Sequence, residues 1–145
     1  MACDLTLATE SALFGQVGPT IGSAPIFGGT QFLPSIVGEK RAREIIFLCQ
    51  RYSAADAERF GWCNKVVPEA QFEAELKSWT SRILELSPQA LRVSKLSLNY
   101  TSDWQYGSFN LAIEMLSAIY GTAEFREGMT AFLEKRKPDF SRFRC

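Results

Sequence analysis

The sequence predicts an α/β portion followed by a helical portion. Three observations carry this. Strand-like stretches occur only before residue 69, at 4–9, 12–16 and 62–67. After it, apolar residues recur at spacings of three and four over long runs, as helices require. Pro68 stands between the two patterns. The boundary is therefore expected there, with residues 1–68 forming the β/α portion and 69–145 the helical one. The first portion offers too few strands to close a sheet alone. A chain of 145 residues, 46% apolar and 22% charged, has an ordinary globular composition and the length for about one core.

Residues 4–9 (DLTLAT) alternate, with Leu5 and Leu7 on one face; Glu10 and Ser11 make a turn; residues 12–16 (ALFGQ) read as a second short strand. Residues 15–30 hold five of the ten glycines and two of the six prolines, interleaved with Val17, Ile21, Ile26 and Phe27. Glycine at this density lets backbone approach another group closely or take positive φ. Two readings of the stretch stand: an irregular core loop, or a loop that faces a ligand.

From Thr30, an expected N-cap, the pattern is helical to Val37, and Gly38 closes the turn. Residues 39–50 place Ala42, Ile45, Ile46 and Cys49 on one face, with Arg41 and Glu44 outside. Ser53 caps a short helix that Gly61 ends, and 62–67 (WCNKVV) form a strand. The helix over 69–86 carries Phe72, Leu76, Trp79, Ile83 and Leu86. Ser87-Pro88 restarts a helix with proline in its first turn, running through Leu91 and Leu98. Residues 104–119 form a helix apolar on nearly all sides, expected to be buried or docked on a partner. The last helix, 122–136, starts at Thr122 and turns Phe125, Met129, Phe132 and Leu133 inward. Pro138 is expected to stop it, with Lys135, Arg136 and Lys137 complementing its dipole.

Composition excludes several functions. There is no histidine, so no Ser–His or Cys–His device can be built within these residues, nor a histidine-rich zinc site. Sixteen basic against sixteen acidic side chains remove the electrostatic case for nucleic acid or an anionic membrane. Cys3, Cys49, Cys63 and Cys145 lack CxxC spacing, which argues against a metal cluster. The start MACDLTLATE does not resemble a secretory leader, so the cysteines are expected as free, mostly buried thiols in the cytoplasm. No apolar run is long enough to span a membrane.

Four blocks, CDLTLATESALFGQVGPTIGSAPIFGGTQFL, VGEKRAREIIFLC, SAADAERFGWCNKVVP and EFREGMTAFLEKRKPDF, resemble in order and spacing the C-terminal half of the crotonase (enoyl-CoA hydratase/isomerase) superfamily. Within it, KRAREIIFLC and the EKRKPDFSRF tail look most like 1,4-dihydroxy-2-naphthoyl-CoA synthase and its ring-opening relative, 2-ketocyclohexanecarboxyl-CoA hydrolase. The resemblance implies a spiral of ββα units followed by a helical trimerisation region, assembled as a trimer or a dimer of trimers. It implies an acyl-CoA thioester as substrate, no further cofactor and no metal. It also implies that the chain is half of a longer protein, whose other half supplies both N–H donors of the oxyanion hole.

The same resemblance assigns residues. Hydratases of the family carry a glutamate in the loop after FGQ; without gaps it falls on Gly18. Naphthoyl-CoA synthases also have glycine there, followed by a motif like GSFDGG. Here that motif reads Gly22-Ser23-Ala24-Pro25: the serine is kept and the aspartate position holds Pro25. Ser23 and Tyr120 are the implied catalytic residues. Gly18, Pro19, Gly22, Pro25, Ile26 and Phe27 would line the acyl pocket. Phe132 and Lys135 match an FxxK element that packs on adenine and approaches the phosphates of CoA, and the i, i+3 spacing puts both on one helical face. By themselves, Tyr120 reads equally as a core tyrosine, and Phe132 and Lys135 as a core ring and a solvated helix end. The expected activity is formation or cleavage of a carbon–carbon bond through a thioester enolate; the alternatives are a catalytically silent oligomerisation module and a plain enoyl-CoA hydratase/isomerase.

Overall fold

The structure, a computed structural model, describes residue 1 and residues 3–144, so the thiol expected at Cys145 lies outside the described residues. The chain divides into two compact units: Ala2–Phe14 with Tyr52–Tyr106, and Gly15–Arg51 with Gly107–Cys145, the latter joined by Met1.

Among the described residues the first unit holds four short strands in two pairs. β1 (Leu7–Thr9) runs parallel to β4 (Lys65–Val67), with Ala8 opposite Val66. The Thr6 N–H donates to Asn64 Oδ1 at 2.8 Å and the Glu10 N–H to the Val67 carbonyl at 3.1 Å, extending the ladder at both ends. β2 (Leu13–Phe14) pairs antiparallel with β3 (Tyr52–Ser53), a strand with no sequence signal of its own. Residues 62–64 do not join the expected strand 62–67. The N–H groups of Trp62 and Cys63 instead bond the Ala57 carbonyl and close α3 (Ala54–Arg59). Trp62 is buried against Phe14, their ring centroids 5.5 Å apart. α4 (Phe72–Glu85) and α5 (Pro88–Asp103) follow, and neither contains a buried residue.

The second unit is built on α1 (Gly29–Val37) and α2 (Glu39–Leu48), which pack closely. The face expected of α2 is the one buried: Ala42, Ile45 and Ile46, with Leu33 of α1. The N-cap of α1 is Gly28, not Thr30, which lies inside the helix. Gly28 takes φ 95°, and its N–H donates to Gln31 Oε1 at 2.9 Å; a side chain three residues on thus does the capping expected of Thr30. α6 (Tyr106–Tyr120) buries only Ala112, so its apolar surface is open in this chain. α7 (Ala123–Leu133) begins at Thr122, whose Oγ1 accepts the Phe125 N–H. It buries Gly128 and Ala131, while Phe132 and Leu133, expected inward, are exposed.

Cys3, Cys49 and Cys63 are free thiols; Cys63 is buried and Cys3, against expectation, is exposed. Among the described residues no helix is long and apolar enough to cross a membrane.

Candidate functional site

The glycine-rich stretch is a built loop. Gly18–Ile21 form one turn of 3-10 helix, with Pro19 in its first turn. Thr20 Oγ1 donates to the Val17 carbonyl at 2.6 Å, and the Ser23 N–H donates back to the Gly18 carbonyl at 3.0 Å. The turn ends at Gly22, whose φ of 71° is cheap only for glycine. The Thr30 N–H then donates to the Pro25 carbonyl at 3.0 Å, tying the loop to the start of α1. Gly18 is crowded: a Cβ there would lie 3.3 Å from the Ser23 carbonyl oxygen, the Ala24 carbonyl carbon and the Pro25 nitrogen. The loop's own folding thus disfavours any side chain at this position.

α7 lies backbone to backbone on this turn. A Cβ on Gly128 would come within 2.3 Å of the Ile21 carbonyl, and one on Gly22 within 3.0 Å of the Glu124 carbonyl oxygen and the Phe125 Cα. Two glycines facing each other in this way allow an approach that no other residue pair permits. Phe125 carries the contact on to Tyr120, whose ring centroid is 4.7 Å away. Tyr120 ends α6 half-exposed, so it is not the core tyrosine of the plainer reading. Gly22 of the loop and Tyr120 of α6 are therefore linked through Phe125.

Phe27 reaches α6. Phe27 is exposed, and its ring meets Phe109 edge to face at 5.7 Å; Phe32 packs on the same ring at 5.4 Å. Buried Gln31 fixes this end of the loop. Its Oε1 caps Gly28, and its Nε2 donates to Ser108 Oγ at 3.1 Å.

Phe132 and Lys135 lie elsewhere. Phe132 is seven residues beyond Phe125, about 10 Å along the helix axis. Lys135 is outside α7, at φ 55°, so the shared helical face does not exist. The helix does not run to Arg136 or wait for Pro138. It ends at Leu133 because the Lys135 N–H bonds the Phe132 carbonyl and the Arg136 N–H the Ala131 carbonyl, a Schellman closure. Arg136 does not serve the helix dipole as expected. It reaches back to Glu127, Nη1 to Oε1 at 2.6 Å and Nη2 to Oε2 at 3.1 Å, and its Nε meets Glu134 at 2.7 Å. The Asp139 N–H (2.9 Å) and Arg142 Nη2 (3.2 Å) complete the shell of Glu127. Arg136, then the Asp139 N–H, hold this carboxyl down at about 2. The same segment walls a cleft of about 760 Å³. Lys137, Phe140 and Arg144 stand on one side, and Pro19, Phe47 and Cys49 on the other. Burial pushes the Cys49 thiol up, so it is not an activated nucleophile.

Three residues that shape this region escaped the sequence reading: Gln31, Glu127 and Gly128. Only Gly128 left a trace, since a glycine inside a helical pattern usually has a packing reason.

The chain belongs to the enoyl-CoA hydratase/isomerase family, whose profile matches residues 1–142, and it has the mixed α/β crotonase fold. It is similar to an enoyl-CoA hydratase from Mycobacterium avium subsp. paratuberculosis K-10: TM-score 0.91, 31% identity, covering 96% of this chain and 57% of that one. A carnitinyl-CoA hydratase from Mycobacterium avium matches at TM-score 0.89 and 26% identity, covering 96% and 55%. A methylmalonyl-CoA decarboxylase matches at 0.82 and 29%, covering 94% and 55%. The chain thus spans little more than half the length of these relatives.

Proposed function

We propose that this chain contributes one part of a crotonase-type acyl-CoA site that works through a thioester enolate on a cyclic or aromatic acyl group, with the naphthoyl-CoA synthases as its nearest chemistry. The observation that carries the reading is Gly18. Addition of water by paired carboxylates needs an acid or base at this point of the loop, and here there is no side chain, with a Cβ meeting the loop's own backbone at a tight 3.3 Å. In this reading two backbone N–H groups from the remainder of the fold hold the thioester oxygen as it gains charge. Ser23 and Tyr120 then move protons beside it. Gly18, Pro19, Gly22 and Pro25 form the backbone wall of the acyl pocket, and Ile26 and Phe27 narrow it. Pro25 cannot ionise, so the proton chemistry of the aspartate at this place in ring-closing enzymes is unavailable to it. Phe132 packs on the adenine and Lys135 approaches the phosphates. No cofactor beyond the CoA of the substrate takes part. The free thiols suit a reducing compartment, and we place the protein in the cytoplasm.

A second reading has its own support. Val93, Leu96 and Leu98 on α5, Trp104 at its end, and Leu111, Ile113 and Met115 on α6 are all at least half exposed. Apolar surface of this extent suits self-association, with a trimer as the family form. On this reading the chain is an oligomerisation module without catalysis.

The test begins with the genomic sequence upstream of Met1, where an in-frame continuation ending in a glycine-rich turn is expected. That longer protein should exchange the α-proton of a cyclic acyl-CoA in heavy water and leave crotonyl-CoA unhydrated. Hydration near an ordinary enzymatic rate, on the order of 10 per second, overturns the enolate reading. Absence of both reactions from a protein that sediments as a trimer leaves the second.

A further inference from the structure

The turn that ends α7 places a lysine where the backbone favours glycine. Lys135 sits at φ 55° with its side chain exposed, and among the described residues its ammonium has no hydrogen-bond or ion-pair partner. The conformation is held from behind. Glu127, one helical turn and more before the end of α7, gathers four donors. Three are guanidinium N–H groups, two from Arg136 and one from Arg142; the fourth is the backbone N–H of Asp139. Every one of these donors comes from beyond Lys135, so the carboxylate draws the chain of residues 136–142 back along the helix. Lys135 is the single link between helix and returning chain that takes the left-handed conformation. The Glu127 side chain is only 9% exposed, whereas that of Arg136 is 40% exposed, so the anchor is the carboxylate. Asp139 secures the far side by accepting both the N–H and the Oγ–H of Ser141.

We propose that Glu127 is a positioning residue. It folds the C-terminal segment back on α7, so that Lys135 is fixed in the left-handed turn with its ammonium unpaired and presented to the phosphates of coenzyme A. This rests on the phosphate-facing reading of Lys135 above. The charge arithmetic favours it. Arg136 and Arg142 are occupied by Glu127, which leaves Lys135, and Lys137 two residues on, as the cations of this segment without an ion pair among the described residues. A charge held by its backbone loses less freedom on meeting a phosphate than one on a fraying helix end.

Coenzyme A itself is the probe, titrated into the 145-residue chain at millimolar concentration and followed by amide NMR at several salt concentrations. Lys135→Ala should weaken binding and flatten its salt dependence. Glu127→Gln keeps the shape of the side chain and removes its charge. It should weaken binding about threefold or more and flatten the salt slope when Lys135 is present, and add nothing in the Lys135→Ala background. If Lys135→Ala changes neither affinity nor slope, or the wild-type chain binds no coenzyme A at millimolar concentration, the phosphate reading fails and takes the inference with it. If Lys135→Ala weakens binding but Glu127→Gln does not, or does so equally in both backgrounds, the inference alone is overturned. Should Glu127→Gln fail to fold, Arg142→Gln removes one outer contact and runs the same cycle. It should produce a smaller loss of affinity that also vanishes without Lys135, and an unchanged affinity overturns the inference.

Discussion

Two helices of this chain are built from the same parts and end differently. α3 begins at Ser53, whose Oγ accepts the Asp56 N–H at 3.1 Å, and α7 begins at Thr122, whose Oγ1 accepts the Phe125 N–H at 3.1 Å. Each closes with the same pair of bonds. In α3 the Gly61 N–H meets the Glu58 carbonyl and the Trp62 N–H the Ala57 carbonyl; in α7 Lys135 and Arg136 repeat the pattern on Phe132 and Ala131. The left-handed residue is glycine in one (φ 78°) and lysine in the other (φ 55°). For a residue with a side chain that conformation costs on the order of 1–2 kcal/mol. α3 avoids the cost by composition. α7 bears it, and the ion-paired shell of Glu127 offsets it. The first helix has its glycine, with Glu58 Oε1 also accepting the Val66 N–H at 3.0 Å eight residues on, whereas the second has no glycine and is held by partners up to fifteen residues away. The first helix end only turns the chain, but the second also presents a cation.

The largest effect that would break this comparison is expected inside α7. Gly128→Ala should raise helix propensity by about 1 kcal/mol. Its methyl, however, would meet the Ile21 backbone at 2.3 Å, where nothing flexible can yield. Overpacking of this kind costs about 1–3 kcal/mol, and against backbone the upper end is expected. Chemical denaturation should therefore show net destabilisation and early exchange of the Ile21 and Gly22 amides. A stabilised variant would mean that α7 does not seat on the turn.

Next is the glycine end itself. Gly61→Ala forces a side chain into φ 78° and should cost about 1–2 kcal/mol. The reciprocal change, Lys135→Gly, should stabilise by up to about 1 kcal/mol, the glycine's looser unfolded state taking back part of the relief. The same variant should bind coenzyme A more weakly, so stability and affinity would move in opposite directions. If both fell together, Lys135 would be held by contacts of its own rather than by Glu127.

The smallest effect is one of slope. The Glu127 carboxyl is depressed to about 2 by the Arg136 bonds and the Asp139 N–H. A group whose folded pKa is lowered contributes stability above its unfolded value and loses it as pH falls through the folded one. The end of α7 should therefore hold above pH 4.5 and loosen progressively from there toward pH 2. Amide exchange at Lys135 and Arg136 should show this loosening as the pH falls.

What was legible in the sequence was local. The face of α2, the caps at Ser53, Ser87 and Thr122, and the stop at Gly61 all follow from residues a few positions apart, and the structure places them as read. The loop over 15–30 announced itself by glycine content, and its resemblance to an acyl-CoA family picked out Gly18, Ser23 and Tyr120. Sequence spacing could not say which glycines meet which need. Gly22 and Gly28 supply positive φ, whereas Gly18 and Gly128 supply room, Gly18 against its own loop and Gly128 against the Ile21 backbone of another segment.

The amino-acid order alone determined where α3, α5 and α7 start and that no histidine chemistry exists within these residues, because caps and composition act over a few residues. Only the tertiary structure decided where α7 ends, that Phe132 and Leu133 face outward, and that Tyr120 reaches the loop through Phe125. The physical reason is range. Residues 134–136 favour helix by propensity, and Glu127 overrides it with four hydrogen bonds that exist only once the chain has turned back.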